Sequence, residues 1–294
     1  MKKIAQIIEN EVKLIEGQVG VGFKDLKNGE EYYYNGDERV LAASTFKVPV
    51  LVELYNQVIS GKLNLDKRYE VKEEDITFGS GVLKELKPGL ALTLKDYATL
   101  MMIISDNVAT DIVLKIVGKE NVNKTIKSLG LKNTKVMMSC KELLNDAIGI
   151  KPTDDQVTIA EKLANLEFDK NAKCFTDYED NNVTSPADMV KIFDLIYNKR
   201  ILNEQACDEM LDIMKRCQTN WRLPRYFPKN VKVAHKTGSI AGVANDTGIV
   251  FTEKGDYILA IYSNGPEDDY AINVRGFDFI ATLSKKIYDY YVSR

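Results

Sequence analysis

Ser44-Thr45-Phe46-Lys47 opens an apolar helical segment that continues through Val48-Pro49-Val50-Leu51. Residues three apart lie on one face of a helix, so Lys47 can reach the hydroxyl of Ser44. A serine hydroxyl is a weak nucleophile until a base removes its proton, and a lysine is such a base when burial or nearby positive charge lowers its pKa. The start of the helix also offers backbone N–H groups to an anion that forms there. Alone, S-x-x-K is not specific, because a chain with many lysines matches it by chance.

A second motif, Ser105-Asp106-Asn107, directly follows the apolar run Leu100-Met101-Met102-Ile103-Ile104. Its structural interpretation is a cap, with Ser105 or Asp106 opening a helix over Val108–Val117. A chemical role is compatible with the cap. A second serine near a lysine can pass a proton to a leaving amine, and Asn107 can hold an amide of a substrate.

A third motif, His235-Lys236-Thr237-Gly238-Ser239, is predicted to end a strand over Val231–Ala234. The ammonium of Lys236 and the hydroxyl of Thr237 are suited to a carboxylate. Gly238 permits close approach to the strand edge. The backbone N–H of Ser239 is the expected second oxyanion donor, beside that of Ser44.

In this order, S-x-x-K, S-D-N and K-T-G are the signature of class A β-lactamases and penicillin-binding proteins. From about Gln18 to its C-terminus, the chain resembles the class A β-lactamase-like, penicillin-recognising serine hydrolase family. Further similarity lies in three places: Asn245-Asp246-Thr247-Gly248-Ile249-Val250, Thr184-Ser185-Pro186-Ala187-Asp188-Met189 and Arg222.

The resemblance implies a role for each motif residue. Ser44 is acylated, Lys47 and Ser105 handle protons, and Asn107 positions the acyl amide. A substrate carboxylate faces the side chains of Lys236, Thr237 and Arg222. The implied substrate is a small β-lactam or a related acyl compound. No metal or organic cofactor is implied, and we expect a monomer.

The predicted elements indicate an α/β (α+β) fold. An amphipathic first helix carries Ile4, Ile8, Val12 and Ile15 at helical spacing. Strands are expected at both chain ends: Val19–Phe23, Tyr32–Tyr34, Val231–Ala234, Asp246–Phe251 and Tyr257–Ser263. A closing helix is expected from about Ile272 to Tyr291. One antiparallel sheet would then be built from both ends and flanked by helices, with an inserted helical lobe. We predict a single domain over 1–294, with lobes of 1–43 plus 218–294 and of 44–217.

The pattern departs from the family at one place. Class A enzymes carry a glutamate, in an E-x-x-L-N pattern, that activates the water for deacylation. In Lys141-Glu142-Leu143-Leu144-Asn145 the glutamate is off by one, and Lys141 fills its position. In Glu167-Phe168-Asp169-Lys170-Asn171 a lysine replaces the leucine. For both Glu142 and Glu167 a solvated surface role is favoured. Between the two segments lie about two dozen residues, Gly149 to Glu161 and beyond, that the typical loop would not contain.

Composition excludes several other classes. The net charge of -3 and pI of about 5.5 argue against nucleic-acid binding. No stretch has the length and apolar character of a membrane-spanning helix. Glu9, Glu11 and Lys13 interrupt the apolar N-terminal run, so the chain as written is expected to be cytoplasmic, or exported if a leader was removed. The four cysteines form no C-x-x-C pair, which favours free thiols over a zinc site or a disulfide framework.

Three functions remain open on the sequence alone. The first is hydrolysis of a β-lactam amide. The second is a peptidase or esterase acting on a D-alanyl peptide or a small ester. The third is a sensor that is acylated once and stays acylated. A Ser-His-Asp triad is disfavoured, because His235 should point to the face of its strand opposite Lys236. The chain also contains no G-x-S-x-G elbow.

Overall fold

A computed structural model describes residues 1–165, 167–265 and 274–294. Its α-helices are α1 (Lys2–Val12), α2 (Lys47–Ile59), α3 (Leu94–Ile103), α4 (Asn107–Val117), α5 (Lys119–Ser128), α6 (Cys140–Ala147), α7 (Gln156–Asn165), α8 (Lys173–Thr176), α9 (Pro186–Tyr197), α10 (Glu204–Lys215) and α11 (Val274–Ser293). Its strands are β1 (Gln18–Asp25), β2 (Glu31–Tyr34), β3 (Val40–Leu41), β4 (Arg68–Glu70), β5 (Ala91–Thr93), β6 (Val183–Thr184), β7 (Lys232–Ile240), β8 (Val243–Phe251) and β9 (Tyr257–Asn264).

The main sheet has five strands in the order β2-β1-β9-β8-β7, and all neighbours in it are antiparallel. β1 and β2 come from the N-terminal part of the chain, whereas β7, β8 and β9 come from the C-terminal part. The predicted α+β class, with one antiparallel sheet built from both chain ends and flanked by helices, is confirmed.

The two faces of the sheet are covered by different helices. Val19, Val21 and Phe23 project from β1 into a core shared with α1 and α11. Gly20 and Gly22 alternate with them and face α9 instead. A Cβ at either glycine would lie 2.7 Å from the side chain of Pro186 or Val190, so only glycine lets α9 pack this closely.

The helical lobe is organised around α2. Its side chains are buried on nearly every side, and α3, α4, α5 and α10 pack against it. A helix that is apolar around its whole circumference belongs in a core. α9, which lies within the predicted lobe 44–217, packs on β1, β8 and β9 of the sheet. The division of the chain into lobes stays a prediction.

Most predicted local signals have the expected geometry. Thr93 and Asp96 form a capping box at α3, Asp106 caps α4, and Ser185 caps α9 with Pro186 in its first turn. The predicted end of a strand at Ala234 was wrong. β7 continues to Ile240, because its pairing with β8 extends to Val243. The third motif therefore lies inside a strand, and the predicted start of the closing helix at Ile272 lies outside the described residues.

The structure also shows the state of the cysteines and the character of the helices. All four cysteines are buried free thiols. In the part of the chain that the structure describes, no helix combines the length and hydropathy needed to cross a bilayer.

Candidate active site

Ser44 lies in a tight 3-10 turn, Ala43–Phe46, that leads directly into α2. The backbone N–H of Lys47 donates to the carbonyl of Ser44, and three residues per turn place the two side chains on the same side. Ala43 enters the turn with a φ of 41°, a left-handed conformation that costs a non-glycine residue about 1 kcal/mol. Such strain concentrates at functional sites. The turn leaves Ser44 half-buried at a cavity, while Lys47 is fully buried.

The ammonium of Lys47 is held by the second motif. Its Nζ lies 2.8 Å from the carbonyl of Ser105, 3.0 Å from Ser105 Oγ and 2.9 Å from Asn107 Oδ1. Burial is the main influence on this group and lowers the pKa of Lys47, although Cys140, Asp111 and Asp106 oppose it. A lysine with a lowered pKa can accept a proton, which is what a base for Ser44 requires.

The second motif is itself fixed by its aspartate. Asp106 is completely buried and accepts from the backbone N–H groups of Val82 at 2.7 Å, Leu83 at 2.9 Å and Ala109 at 2.9 Å. Ser105 next to it has a φ of 58°. The aspartate therefore ties the loop that carries Ser105 to the start of α4.

Replacing Asp106 by alanine should destabilise the fold by about 3 kcal/mol or more, because three backbone donors, two of them buried, lose their acceptor. Denaturant-induced unfolding measures this loss. Asp96→Ala, in the exposed capping box of α3, serves as the matched control and should cost clearly less. Equal losses in the two variants would contradict the anchoring role of Asp106.

The third motif places a second lysine beside Ser105, the serine of the second motif. Lys236 is fully buried, and its Nζ lies 3.0 Å from Ser105 Oγ and 2.8 Å from the carbonyl of Thr237. Burial and then the charge of Lys47 lower the pKa of Lys236 to about 7. The hydroxyl of Ser105 thus bridges two lysines, and their mutual repulsion favours a state in which one of them is neutral.

Gly238 and Ser239 lie against the turn that carries the nucleophile. A Cβ at Gly238 would lie 2.8 Å from the carbonyl of Ala42 and 3.1 Å from the backbone nitrogen of Ser44, so β7 can approach this closely only with glycine. Ser44 and Ser239 line the same cavity, of about 180 Å³. The role of their backbone N–H groups as oxyanion donors stays a prediction.

Arg222 and Thr237 are more enclosed than the sequence suggests. The guanidinium of Arg222 donates to the carbonyls of Gly238 at 2.9 Å and Asn245 at 2.5 Å, and to the hydroxyl of Ser239. It also stacks on the ring of Phe277 at 4.1 Å. The hydrogen bonds of Arg222 therefore hold β7 and β8 together. Thr237 is buried within β7. Direct contact of either with a substrate carboxylate stays a prediction.

His235 points away from the cavity, as its place in the strand predicts. Its Nδ1 lies 2.9 Å from Asp246 Oδ1 and its Nε2 lies 3.3 Å from Asn220 Oδ1. Neither partner lines the cavity with Ser44.

The cavity is apolar on most sides. Its polar lining comes from Ser44, Ser80, Asn107 and Ser239. Its apolar lining comes from Ala43, Phe46, Cys140, Leu143, Leu144, Phe168 and Ile240, together with Gly79. Among the described residues no aspartate or glutamate lines it. Phe168 comes from the second candidate segment for the E-x-x-L-N pattern, directly after Glu167.

Neither candidate glutamate reaches the nucleophile. Glu142 caps α6 through Ser139 and pairs with Lys119, with its Oε2 2.9 Å from the ammonium. Glu167 is exposed. Lys141, at the expected glutamate position, extends away from the site to the carbonyl of Glu74 at 2.8 Å.

Cys140 is the site residue that sequence reasoning missed. Its thiol is buried against Lys47 and Asp111, and burial raises its pKa to about 12, which leaves a neutral thiol. Asp111 orients it by accepting from the backbone N–H groups of Cys140 at 2.6 Å and Lys141 at 2.9 Å. The sequence feature that could have identified Cys140 is its position directly before the imperfect E-x-x-L-N segment.

Known proteins share this architecture. The model of the β-lactamase enzyme family matches residues 1–291. β-Lactamase VEB-1 of Pseudomonas aeruginosa is 24% identical over 299 residues, which cover 98% of this chain and 90% of that protein. β-Lactamase CARB-3 of the same organism is 33% identical over 169 residues, covering 55% of this chain and 58% of that protein.

Two solved structures are also similar. The β-lactamase from Sphaerobacter thermophilus superposes with a TM-score of 0.80 at 26% identity and covers 99% of this chain and 97% of its own. A mutant of PBP-A, in an acyl-enzyme complex with penicillin G, has a TM-score of 0.80 at 27% identity and covers 99% of this chain and 96% of its own. The chain therefore belongs to the β-lactamase enzyme family, the serine hydrolases that open β-lactam amide bonds through an acyl-enzyme.

Proposed function

We propose that the protein is a serine hydrolase in which β-lactams acylate Ser44 readily and the resulting ester is hydrolysed slowly. The observation that carries this proposal is the composition of the cavity. Ser44 lines the cavity, and behind that lining two buried lysines share the hydroxyl of Ser105, yet the described lining contains no carboxylate.

Acylation begins with the proton of Ser44. Lys47 in its neutral form accepts this proton, and Ser44 Oγ bonds to the carbonyl carbon of the β-lactam. The negative charge that develops on the carbonyl oxygen is stabilised by the backbone N–H groups of Ser44 and Ser239. Asn107, which receives a hydrogen bond from Lys47 and donates to the carbonyl of Phe78 at 3.0 Å, is held in place to contact the acyl amide.

Ring opening requires a proton at the departing nitrogen. The C–N bond breaks as the hydroxyl of Ser105 donates its proton to that nitrogen, and Ser105 recovers a proton from Lys47, 3.0 Å away. Lys236, the other lysine at this hydroxyl, pairs as an ammonium with the substrate carboxylate. No step to this point needs a carboxylate from the protein.

Deacylation has a different requirement. Water must lose a proton as it attacks the ester, and a positioned general base contributes about 10²–10⁴-fold to such a step. Among the cavity residues, Cys140 interacts with Lys47, and its thiol is neutral. The ester is therefore expected to persist. In this fold, an acyl-enzyme complex with penicillin G is known for a PBP-A mutant.

The test is to incubate the protein with a chromogenic cephalosporin while following colour and intact mass. We expect a stoichiometric burst of colour, one covalent adduct per chain and a slow steady rate, all lost in Ser44→Ala. Sustained rapid colour would contradict slow deacylation and indicate an efficient β-lactamase. Neither colour nor adduct in a folded protein would overturn the β-lactam proposal, and D-alanyl peptides and small esters would be tested next.

A further inference from the structure

The cavity at Ser44 has no charged side chain among the described residues that line it. Its polar lining consists of neutral hydroxyl and amide groups, from Ser44, Ser80, Asn107 and Ser239. Lys47 is buried behind this lining, and its ammonium already donates to the hydroxyl of Ser105 and to the amide oxygen of Asn107. A charged group that entered the cavity would therefore lose water without gaining a partner of opposite charge, which is costly.

The size of the cavity suits one aromatic ring. It measures about 180 Å³, and an apolar cavity of about 150 Å³ lined by aliphatic and aromatic side chains binds benzene. Gly79 helps to leave this space open. Its φ is 92°, and a Cβ there would lie 2.7 Å from Asn107 Nδ2 and 3.1 Å from Leu144 Cδ1. A side chain at position 79 would thus meet two of the residues that line the cavity.

Phe168 supplies an aromatic ring at the mouth of the cavity. It is 38% exposed and packs edge-on against the buried Phe175, with the ring centroids 6.2 Å apart. The next residue, Asp169, donates its backbone N–H to the carbonyl of Ala147 at the end of α6, at 2.8 Å. The ring is therefore held in place beside the cavity. Aromatic rings attract one another in edge-on and offset arrangements, so Phe168 can contact an aromatic group that enters.

The chemistry of a β-lactam decides which part of the substrate would enter. The carbonyl carbon that Ser44 attacks is bonded on one side to the ring nitrogen, next to which the carboxylate is attached. On its other side lies the ring carbon that carries the acylamino side chain. In the proposed mechanism the nitrogen faces Ser105 and the carboxylate faces Lys236, and neither residue lines the cavity, whereas Asn107 does. The acyl side chain is thus the part that extends into it.

We propose that this cavity selects acyl donors whose side chain is uncharged, apolar and about the size of a phenyl ring, with Phe168 as a specificity-determining residue. The inference rests on the proposed function, because the orientation of the substrate is taken from that mechanism. A carboxylate on the acyl side chain would be desolvated against Leu143, Leu144 and Phe168, and no cation of the described lining would offset this cost.

Three penicillins that share one ring system test the selection. Benzylpenicillin has a neutral benzyl side chain, carboxybenzylpenicillin adds one carboxylate to the benzylic carbon, and 6-aminopenicillanic acid lacks the acyl side chain. The second-order rate constant for acylation of Ser44, from the time course of intact mass, should be at least about tenfold larger for benzylpenicillin than for either of the others. Equal constants would overturn the selection and leave the acylation mechanism intact.

Substitution of Phe168 tests its role. Phe168→Ala should lower the constant for benzylpenicillin about tenfold and leave that for 6-aminopenicillanic acid unchanged. The matched control is Tyr32→Ala, on the edge strand β2 at the opposite side of the sheet from β7, and it should change neither constant. An equal loss for both compounds in Phe168→Ala would indicate a merely structural role and overturn the assignment of Phe168.

A cation placed in the cavity should reverse the preference. In Leu144→Lys the acylation constant for carboxybenzylpenicillin, relative to that for benzylpenicillin, should rise about tenfold, since the added carboxylate gains a partner. The neutral variant Leu144→Gln should raise this ratio clearly less. Because the ratio compares two substrates on one protein, a general loss of activity does not affect it. An unchanged ratio in Leu144→Lys would show that the side chain binds elsewhere.

Binding to Ser44→Ala separates this inference from the proposed function. Isothermal titration calorimetry should give a Kd for benzylpenicillin at least about tenfold lower than for carboxybenzylpenicillin. If no penicillin acylates the native protein, the proposed function fails, and the comparison of the two Kd values still decides what the cavity prefers. Equal affinities, or no binding of benzylpenicillin, overturn the inference.

Discussion

Replacing Lys47 by methionine is expected to lower the rate of acylation of Ser44 by about 10³-fold or more. Methionine has nearly the length of lysine but cannot accept a proton, and loss of a general base costs about 10²–10⁴-fold. In the proposed mechanism Lys47 also supplies the proton that Ser105 passes on, so its loss affects both proton transfers of the step. Stopped-flow colour release and the time course of intact mass measure the rate.

A second substitution separates basicity from charge. Arginine keeps a cation near Ser105 and Asn107 but stays protonated in proteins, so Lys47→Arg should be acylated as poorly as Lys47→Met. Circular dichroism and thermal unfolding verify that each variant is folded. Undiminished acylation in either folded variant would rule Lys47 out as the base.

Ser44 could be proposed as the nucleophile from the sequence because the residues around it lie in short motifs at the ends of core elements. Ser44 and Lys47 are one turn apart in the chain, and Asp106 anchors its own loop by capping α4. The meeting of Lys47 and Lys236 at one hydroxyl is a tertiary fact, for the two lysines are 189 positions apart. The sequence indicated that the two lysines lie close together only through the order of the three motifs, which is that of a known family.

The opposite wall of the cavity could not be predicted in the same way. Its first residue, Cys140, is aimed at Lys47 because Asp111, on a different helix, accepts from two backbone N–H groups at the start of α6. The residues next to Cys140 in the sequence do not predict this contact with Asp111. Phe168 lies next to Glu167 in the second, imperfect E-x-x-L-N segment, and it lines the cavity while packing edge-on against Phe175 at 6.2 Å. Pattern matching failed where side chains from remote segments decide the geometry.

Placing a carboxylate at position 140 is expected to accelerate hydrolysis of the acyl-enzyme by about 10²-fold. Cys140 is the first residue of α6, where an acidic side chain is favoured by the helix dipole. Its side chain already contacts Lys47 and lines the cavity with Ser44, so the carboxylate of a Cys140→Asp variant could accept a proton from water attacking the ester. The half-life of the adduct, followed by intact mass after excess β-lactam is removed, measures the change.

Cys140→Asn is the matched control, since the amide has the size of the carboxylate but no basicity. In Cys140→Asp the rate of acylation should fall and the rate of deacylation should rise. The added negative charge raises the pKa of Lys47 and so slows acylation, while the new base speeds deacylation. A merely loosened cavity would shorten the adduct's lifetime equally in both variants, without the charge-dependent loss of acylation. Equal lifetimes in Cys140→Asp and the native protein would show that the missing carboxylate is not what limits turnover.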